Sequence, residues 1–407
     1  LYNELTNKIY ANRRAKVSKE ESVRRFHPWI FSGAIASISG NPAEGDPVRI
    51  FSSKHEPLGV GHYEKGSIAM RMLSFDVDTV LDVSFWEERL SAAFRLRSAL
   101  GLIRYDDPRS KNTAYRLVHG EGDSLPGLII DVYGHTAVMQ AHSVGMHHAR
   151  TDIAKALIAT TAGLVDAVYY KSDSTLPFKA GLESADGFLI GSAQAEAEYE
   201  NGLLFLPDWI KGQKTGFFID QRENRALLEE YASGRKVLNM FCYSGGFSLY
   251  AMRGGAYKVH SVDSSARAVH LLEKNMALNF AGDDRHESYA ADAFHFLDEM
   301  AVGAYDLIVL DPPAFAKHRK VLRNALIGYR KLNAAAFRKI APGGVLFTFS
   351  CSQAVSREEF RLAVFTAAAS AGRKVRILHQ LTQPADHPIN IYHPEGEYLK
   401  GLVLYVE

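Results

Sequence analysis

From about residue 191 onwards, short apolar segments alternate with amphipathic ones. The segments KVLNMF, KVHSVD, YDLIVLD and GVLFTFS are rich in apolar and β-branched residues, as buried strands are. Between them, GFSLYAMRGG, SARAVHLLEKNMALN and ALIGYRKLNAAAFRKI carry apolar residues at helical spacing. Apolar strands that alternate with helices are typical of a parallel sheet covered on both faces. The pattern therefore predicts an α/β domain over residues 191–407.

The first 190 residues follow a different pattern. Residues 1–75 contain short segments in which apolar and polar positions alternate between glycines and prolines, which predicts a small β-rich barrel or sandwich. Residues 76–190 open with the helical segment VSFWEERLSAAFRLRSAL and continue with strands separated by Gly, Asp and Pro turns. A second helical segment, HHARTDIAKALIATT, follows. The sequence thus predicts a separate α+β domain at 76–190 and three domains in total.

Composition narrows the class of protein. A chain of 407 residues, 47% hydrophobic and 23% charged, is globular and too long for one ordinary core. No apolar run approaches the roughly 18 residues of a membrane span. Two cysteines exclude a disulfide framework, and the N-terminus lacks the apolar segment of a signal peptide, so we expect a cytoplasmic protein. No Cys/His cluster has zinc spacing, so no metal is expected.

Ligands of open parallel sheets bind at the carboxyl ends of the strands. The first strand of the α/β domain runs into NMFCYSGGF, where Gly245 and Gly246 allow a tight turn and the close approach of a ligand. Asp263 ends the second strand, and an acid there suits the hydroxyls of a ribose. This pattern fits NAD, FAD or S-adenosylmethionine, although the loop is not G-x-G-x-x-G. A plain strand–helix turn is the alternative.

Two more acids follow the next strands. The segment ESYAAD predicts a third strand that ends at Asp292, whose carboxylate could hold the amine of an adenine, cap a helix, or do both. Asp311 opens the segment DPPAF, in which Pro312 and Pro313 stiffen a loop that leaves the sheet. An acid beside a rigid apolar turn can grip a flat ring. These features favour an S-adenosylmethionine-dependent methyltransferase over a dehydrogenase.

Cys351, within FSCS, ends the predicted strand that comes next in the chain after the one that ends at Asp311. A free cysteine is usually a small buried apolar residue, but this position favours a nucleophile. A thiolate that adds to C6 of a pyrimidine turns C5 into an enamine-like carbon able to take a methyl group. We therefore predict Cys351 as the nucleophile and Asp311 as the acid that holds the N3/N4 edge of the base. Cys242 is interpreted as structural.

A basic stretch follows the DPPAF loop. Residues 312–357 contain no Asp or Glu but hold nine Lys and Arg, which indicates contact with RNA phosphates near the site. A basic helix face paired with acids elsewhere is the alternative, and a solvated face is also favoured for the basic residues near the N-terminus. Because the net charge is only +1, any RNA binding depends on such local patches. The candidates for contact with RNA are Arg24, Arg25, Lys317, Arg319, Lys320, Arg323 and Tyr329.

Seven segments together resemble one known family. They are RRFHPWIFSGAI, LVHGEGDSLPGLIIDVYG, GQKTGFFIDQREN, NMFCYSGGF, DPPAF, FSCS and ADHPINIYHPEGEYLKG. In this order, over essentially the whole chain, they resemble the PUA-domain-containing ribosomal RNA large-subunit methyltransferases that make 5-methylcytosine. The resemblance implies an N-terminal RNA-binding PUA domain, a central α+β domain and a C-terminal Rossmann-like class I methyltransferase domain. It also implies S-adenosyl-L-methionine as cofactor, ribosomal RNA as partner and a homodimer.

The resemblance also implies roles for individual residues. Cys351 matches the nucleophile of the family, and Asp311 matches the acid beside the target base. GQKTGFFIDQREN matches a segment that caps the cofactor pocket. The resulting candidates for cofactor binding are Lys214, Thr215, Asp220, Arg222, Phe241, Tyr243, Gly245, Gly246, Asp263, Asp292, Asp311 and Pro312.

One position departs from many RNA 5-methylcytosine enzymes, which carry a second cysteine where Pro313 stands here. The base that completes the elimination step is therefore unassigned. Two other functions remain open on the sequence: a methyltransferase that acts on the exocyclic amine of a purine, and a non-catalytic RNA-binding protein. The first has no use for Cys351, and the second predicts RNA affinity without methyl transfer.

Overall fold

The computed structural model describes residues 8–11, 18–103, 112–177, 182, 186–316 and 318–407. The chain divides into two compact units, each built from several separate segments. Unit 1 consists of Leu1–Glu196, Pro207–Phe217 and Ala385–Gly396. Unit 2 consists of Ala197–Leu206, Phe218–Pro384 and Glu397–Glu407.

Unit 1 begins with a six-stranded sheet. Its strands lie in the order β2-β6-β5-β4-β1-β3, and β1 and β4 are parallel while the other neighbours are antiparallel. Val48, Ile50, Met70 and Met72 form the centre of its apolar core. The β-rich character predicted for this region is confirmed. The elements are β1 (Lys8–Ala11), α1 (Ser18–Arg24), β2 (Trp29–Phe31), a 3₁₀ turn (Ser32–Ala34), β3 (Ile35–Ser39), β4 (Pro47–Phe51), β5 (Pro57–Tyr63) and β6 (Ile68–Ser74).

A second, five-stranded sheet completes the main part of unit 1. Its strand order is β11-β10-β9-β8-β7, and the parallel pair β9–β10 is joined through two helices. Trp86 and Leu90 of the first helix are fully buried in the same core as Ile153 and Leu157. The elements are α2 (Val83–Ala99), β7 (Ala114–His119), β8 (Leu128–Tyr133), β9 (Thr136–Ala141), α3 (Val144–His148), α4 (Arg150–Thr160), β10 (Ala167–Tyr170) and β11 (Gly187–Ile190).

Unit 2 contains a seven-stranded sheet and the short hairpin β12–β13. The order of the sheet is β16-β15-β14-β17-β18-β20-β19, and only β20 is antiparallel to its neighbours among these strands. The strands are β12 (Glu198–Glu200), β13 (Leu203–Phe205), β14 (Lys236–Met240), β15 (Lys258–Asp263), β16 (His286–Ala290), β17 (Leu307–Leu310), β18 (Gly344–Ser350), β19 (Val375–Leu381) and β20 (Lys400–Val406). The helices are α5 (Arg222–Ala232), α6 (Gly246–Arg253), α7 (Ala266–Asn279), α8 (Ala293–Glu299), α9 (Leu322–Lys339) and α10 (Arg357–Ser370).

The apolar pattern explains this sheet. All seven residues of β18 and all four of β17 are buried, as expected of strands covered on both faces. β16 ends at Ala290, two residues before the predicted end at Asp292. This strand lies at the edge of the sheet and is partly exposed, so it has few apolar residues from which its end could be predicted.

The order of the strands locates the binding crevice. In the sheet, β15 and β16 lie on one side of β14, and β17, which follows them in the chain, lies on the other side of β14. A crevice for ligands opens outside the carboxyl ends of the strands where the order reverses in this way. In unit 2 that point lies between β14 and β17, so the segments beginning at Phe241 and Asp311 flank it.

Candidate active site

The loop after β14 has a strained backbone. Phe241 and Tyr243 have positive φ angles of 59° and 45°, and Gly245 has φ 87°. Positive φ is costly for residues with a side chain, and such strain collects at functional sites. Asp263 helps to hold the loop, because its Oδ2 accepts a hydrogen bond of 2.9 Å from the backbone N–H of Tyr243. The predicted ribose-binding acid is therefore also an anchor of the glycine turn.

Packing gives a second reason for the two glycines. A Cβ on Gly245 would lie 2.7 Å from Leu272 Cγ, and one on Gly246 would lie 2.9 Å from Arg225 Cδ. The predicted tight turn is thus observed, and it also brings α6 close to α7 and α5. Cys242, within the same loop, is 5% exposed, and burial raises the pKa of its thiol well above the ordinary value. Both properties agree with the structural role predicted for Cys242.

Asp292 is exposed and caps a helix. Its Oδ1 accepts a hydrogen bond of 2.9 Å from the backbone N–H of His295, in the first turn of α8. Capping is one of the two roles that the sequence left open, and it stabilises the helix start. Binding of an adenine amine at Asp292 stays a prediction.

Arg222 and Asp220 lie inside unit 2. Glu200 is fully buried and makes two hydrogen bonds with Arg225, at 2.8 and 2.6 Å, and Arg222 Nε lies 3.7 Å from Glu200 Oε2. The Oδ2 of Asp220 accepts a bond of 2.7 Å from the hydroxyl of Tyr398. These contacts hold the start of α5 in place, and the predicted cofactor contacts of Asp220 and Arg222 stay predictions.

Lys214 and Thr215 belong to unit 1. Thr215 is fully buried, and its hydroxyl donates a hydrogen bond of 2.5 Å to Asp131, which also forms two bonds of 2.8 Å with Arg116. Lys214 is exposed, with φ 50°, and its carbonyl accepts from Gln140. Within unit 1, Thr215 therefore anchors the segment 207–217 onto β8. The predicted cofactor contacts of both residues stay predictions.

The DPPAF loop and the FSCS segment are joined at the ends of neighbouring strands. β17 and β18 are parallel, with Leu310 opposite Thr348, so Asp311 and Cys351 leave the sheet at the same edge. The Sγ of the half-buried Cys351 lies 4.0 Å from the carbonyl oxygen of Pro312. The hydroxyl of Ser352 donates to the carbonyl of Ala316. The two segments predicted to carry the chemistry are thus brought together.

Tyr329 lies beneath this loop. It is fully buried, its ring packs against Phe315 with centroids 4.6 Å apart, and its hydroxyl accepts from Ser350 Oγ at 2.9 Å. Burial is the main cause that raises its pKa to about 12, and Cys351 and Asp311 also contribute. Because the ring is enclosed, Tyr329 cannot contact RNA as predicted. It supports the DPPAF loop instead.

Gln221 is a site residue that the sequence did not reveal. It is 3% exposed, and its Nε2 donates a hydrogen bond of 3.0 Å to Asp311 Oδ2. Its Oε1 accepts a bond of 2.6 Å from Asn224, which fixes the orientation of the amide. Gln221 therefore fixes the carboxylate of Asp311. No local feature of the sequence separates Gln221 from other glutamines, although it lies between the predicted site residues Asp220 and Arg222.

The basic stretch lies on an exposed surface of unit 2. Lys320 and Arg323 are exposed, and Arg319 forms an exposed ion pair of 3.4 Å with Glu359, which is weak. Arg323 also lines a groove between α9 and α10, whose floor includes Leu326 and Ala363. Lys317 lies outside the described residues. Pairing with an acid, the alternative interpretation, thus holds for Arg319.

The N-terminal arginines are paired with acids. Arg24 bonds to Glu20 and Glu56, and Arg25 bonds to Glu21. The structure thus shows a surface on which these arginines pair with acids, in agreement with the solvated face that the sequence favoured. Contact of Arg24 and Arg25 with RNA stays a prediction.

Among the residues that the structure describes, no helix is both long enough and apolar enough to cross a membrane. Among the same residues, His, Cys, Asp and Glu side chains form no cluster of three or more that could hold a metal ion.

Comparison with protein families matches two regions of the chain. Residues 153–394 match a family of S-adenosylmethionine-dependent methyltransferases. Residues 16–75 match a PUA-like domain. The PUA-like match precedes the methyltransferase match, as predicted, whereas the separate central α+β domain at 76–190 stays a prediction.

Similar proteins match over nearly the full length. The chain is 40% identical over 392 residues to ribosomal RNA large subunit methyltransferase I from Aeromonas hydrophila, covering 95% of this chain and 97% of that protein. It is 38% identical over 399 residues to the protein of the same name from Shewanella frigidimarina, covering 97% and 98%.

Solved structures share the fold. "A putative sam-dependent methyltransferase from Streptococcus mutans" aligns with a TM-score of 0.82 at 22% identity, over 98% of this chain and 99% of that chain. Another structure, complexed with SAH, aligns with a TM-score of 0.81 at 22% identity and the same coverage.

Proposed function

The chain belongs to the family of PUA-domain-containing, S-adenosylmethionine-dependent methyltransferases that includes the proteins named ribosomal RNA large subunit methyltransferase I, and we propose that it methylates C5 of a cytosine in large-subunit ribosomal RNA. The observation that carries this proposal is the junction of the DPPAF loop with Cys351. A thiol and a carboxylate at one sheet edge are the groups that pyrimidine C5 chemistry requires.

The residues around the switch point fit the cofactor. Asp263 presents a half-buried carboxylate at the end of β15, suited to the hydroxyls of a ribose, and the Phe241–Gly245 loop lies beside it. Asp292, at the start of α8, is the corresponding acid for the adenine. When bound, S-adenosylmethionine supplies an electrophilic methyl group. These side chains supply orientation and hydrogen bonds.

Cys351 carries the covalent step of the proposal. Its thiolate adds to C6 of the cytosine, so an S–C6 bond forms, the electrons of the C5=C6 double bond form C4=C5, and the C4=N3 electrons move onto N3. C5 is thereby made nucleophilic. After methylation, loss of the proton from C5 and release of the sulfur from C6 restore the aromatic ring and the thiolate.

Asp311 holds the other edge of the base. Its carboxyl group can hydrogen-bond the N3/N4 edge and stabilise the adduct while the ring is not aromatic. The Gln221 amide fixes the rotation of this group, so it is preorganised before the base arrives. Pro313 stands where many RNA 5-methylcytosine enzymes have a second cysteine, which leaves water or Asp311 to take the C5 proton.

The competing function is methylation of a purine amine. An acid followed by two prolines also suits an amine that donates a hydrogen bond, and it would not use Cys351. The position of Cys351, whose Sγ lies 4.0 Å from the carbonyl oxygen of Pro312 in the DPPAF loop, favours cytosine. Identification of the labelled nucleoside separates the two functions.

The direct test uses in-vitro transcribed large-subunit ribosomal RNA, which carries no prior modification. The RNA is incubated with the protein and S-adenosylmethionine labelled in the methyl group, then digested to nucleosides. We expect to find the label in 5-methylcytosine. Small-subunit ribosomal RNA, treated in the same way, serves as the comparison. Label in a methylated purine would contradict the proposal and support the competing function.

We predict that Gln221→Met reduces kcat about 10-fold, because the loss of one hydrogen bond to a charged group costs roughly 1.5 kcal/mol. Methionine keeps the volume of the side chain but cannot orient Asp311. Single-turnover methylation of the RNA would measure the effect. The matched control is Gln380→Met, an exposed glutamine of β19, for which kcat stays unchanged. Equal values of kcat in the two variants would show that Gln221 does not contribute to catalysis.

We predict that the double variant Lys320→Ala/Arg323→Ala weakens RNA binding and lowers the slope of log affinity against log salt by roughly 1 to 2, because each lost phosphate contact lowers it by about 0.7–0.9. Binding at several salt concentrations gives the slope. The control is Arg267→Ala/Lys274→Ala, which removes two exposed charges from α7. A slope equal to that of the wild type in Lys320→Ala/Arg323→Ala would show that these two residues do not contact phosphates.

Three further expectations stay predictions: the homodimer, the cytoplasmic location and the domain boundaries at residues 75 and 190. Sedimentation of the purified protein would test the first of them. Binding of isolated 1–75 to ribosomal RNA would test whether the PUA-like region acts as a separate RNA-binding domain.

A further inference from the structure

Lys400 is a buried lysine beside the predicted nucleophile. It is the first residue of β20, directly opposite Ser350 at the end of β18, and it is only 3% exposed. Its Nζ donates a hydrogen bond of 2.6 Å to the carbonyl oxygen of Ser352. Its backbone and its ammonium therefore engage the residues on either side of Cys351.

We propose that Lys400 is a positioning residue for Cys351: its ammonium fixes the turn formed by residues 350–352 and favours the thiolate form of the cysteine. The role in methyl transfer rests on the function proposed above. The effect on the thiol itself does not, because it can be measured without RNA or cofactor.

The burial of Lys400 calls for a compensating interaction. A buried ammonium costs free energy unless it is hydrogen-bonded or paired with a negative charge. The hydrogen bond is the one to the carbonyl oxygen of Ser352. The paired negative charge would be a thiolate at Cys351, which would offset part of the free-energy cost of burying the lysine.

The charges agree with this pairing. Burial is the main cause that lowers the pKa of Lys400 to about 8, and Cys351 acts in the opposite direction by raising it. Coupling between two charges is reciprocal, so the ammonium that is favoured by the thiolate also lowers the pKa of the thiol. With a pKa of about 8, Lys400 is still mostly an ammonium at pH 7.

Other titratable groups face the same pair. An ionised carboxylate at Asp311 would disfavour a second negative charge on Cys351, whereas Tyr329, whose pKa is raised to about 12, is neutral at pH 7. A cation next to the thiol offsets such repulsion and favours the thiolate. The remaining groups that act on Lys400 are Glu397, Arg357 and Glu359.

The test is the pH dependence of alkylation of Cys351 by iodoacetamide, followed by mass spectrometry of its peptide, in the wild-type protein, Lys400→Met and Lys400→Arg. We expect Lys400→Met to raise the midpoint by about one pH unit and to slow alkylation at pH 7 roughly 10-fold, since a neighbouring opposite charge shifts a pKa by 1–3 units. The limiting rate at high pH should not fall. Lys400→Arg should keep the wild-type midpoint.

Two controls make the result specific. Cys351→Ser gives the background from the buried Cys242, and Lys274→Met removes an exposed lysine of the same unit. An unchanged midpoint in Lys400→Met would overturn the proposal. So would a reduced limiting rate at an unchanged midpoint, since this would show that Lys400 only holds the turn.

The same variants separate this inference from the proposed function. If the midpoint shifts as expected but Cys351→Ser still methylates RNA, then Lys400 governs the thiol and the covalent mechanism fails. If the midpoint does not shift and Cys351→Ser is inactive, the covalent mechanism stands without Lys400.

Discussion

Cys351→Ala is expected to reduce methyl transfer to ribosomal RNA by roughly 10⁴-fold or more, because removal of a covalent nucleophile eliminates its pathway rather than slowing it. C5 of cytosine is weakly nucleophilic without addition at C6, and no other thiol replaces Cys351. Cys242 is buried in the glycine loop, and its raised pKa keeps it in the neutral form. Alanine fits the half-buried position, so the fold should be preserved.

Single-turnover methylation with saturating cofactor would measure this effect. The variant should bind S-adenosylmethionine as the wild type does and unfold at a similar temperature. RNA that contains 5-fluorocytosine provides an independent readout, because fluorine at C5 cannot leave as a proton does. The wild type should form an adduct with this RNA that survives denaturation, and Cys351→Ala should form none. Full activity in Cys351→Ala would show that Cys351 is a structural residue and not the nucleophile.

Asp311→Asn is expected to lower kcat by roughly 10²–10³-fold, which is typical when a preorganised polar group at a reacting centre is removed. Asparagine keeps the size and can still accept the hydrogen bond from Gln221, so the DPPAF loop should remain in place. The amide of asparagine carries no negative charge and cannot exchange a proton with the N3/N4 edge of the cytosine.

The matched control for Asp311 lies at the other end of the same strand. Asp306 directly precedes β17 and accepts a hydrogen bond of 2.8 Å from the backbone N–H of Lys236, a contact that Asp306→Asn retains. This variant should therefore keep the wild-type kcat. If both variants lose activity equally, the loss reflects the stability of the sheet rather than chemistry at Asp311.

Strand ends were the part of the site that could be predicted from sequence. Asp263, Asp311 and Cys351 each follow or end a buried apolar strand, and apolar runs such as GVLFTFS mark these strands clearly. Since parallel strands end at one edge of the sheet, their order along the chain was enough to group the three residues. The family was confirmed by the matches to both domains.

Residues that depend on distant contacts could not be predicted. Gln221 meets Asp311 across 90 positions of sequence, and nothing local distinguishes it from other glutamines. Tyr329 looked like an aromatic residue on a basic surface, but its side of α9 faces the core. Lys400 looked like an ordinary charged residue until the pairing of β20 with β18 buried it.

The position of β20 has a consequence for synthesis. β20 lies between β18 and β19 yet follows both in the chain, so on a ribosome the two earlier strands emerge before the strand that joins them. Until then, β18 has an open edge on that side, where a nascent chain is open to wrong pairing. Lys400 arrives with β20, so the turn that holds Cys351 is completed only when this late segment docks. The surroundings of the Cys351 thiol are therefore completed only after both β18 and β19 have been synthesised.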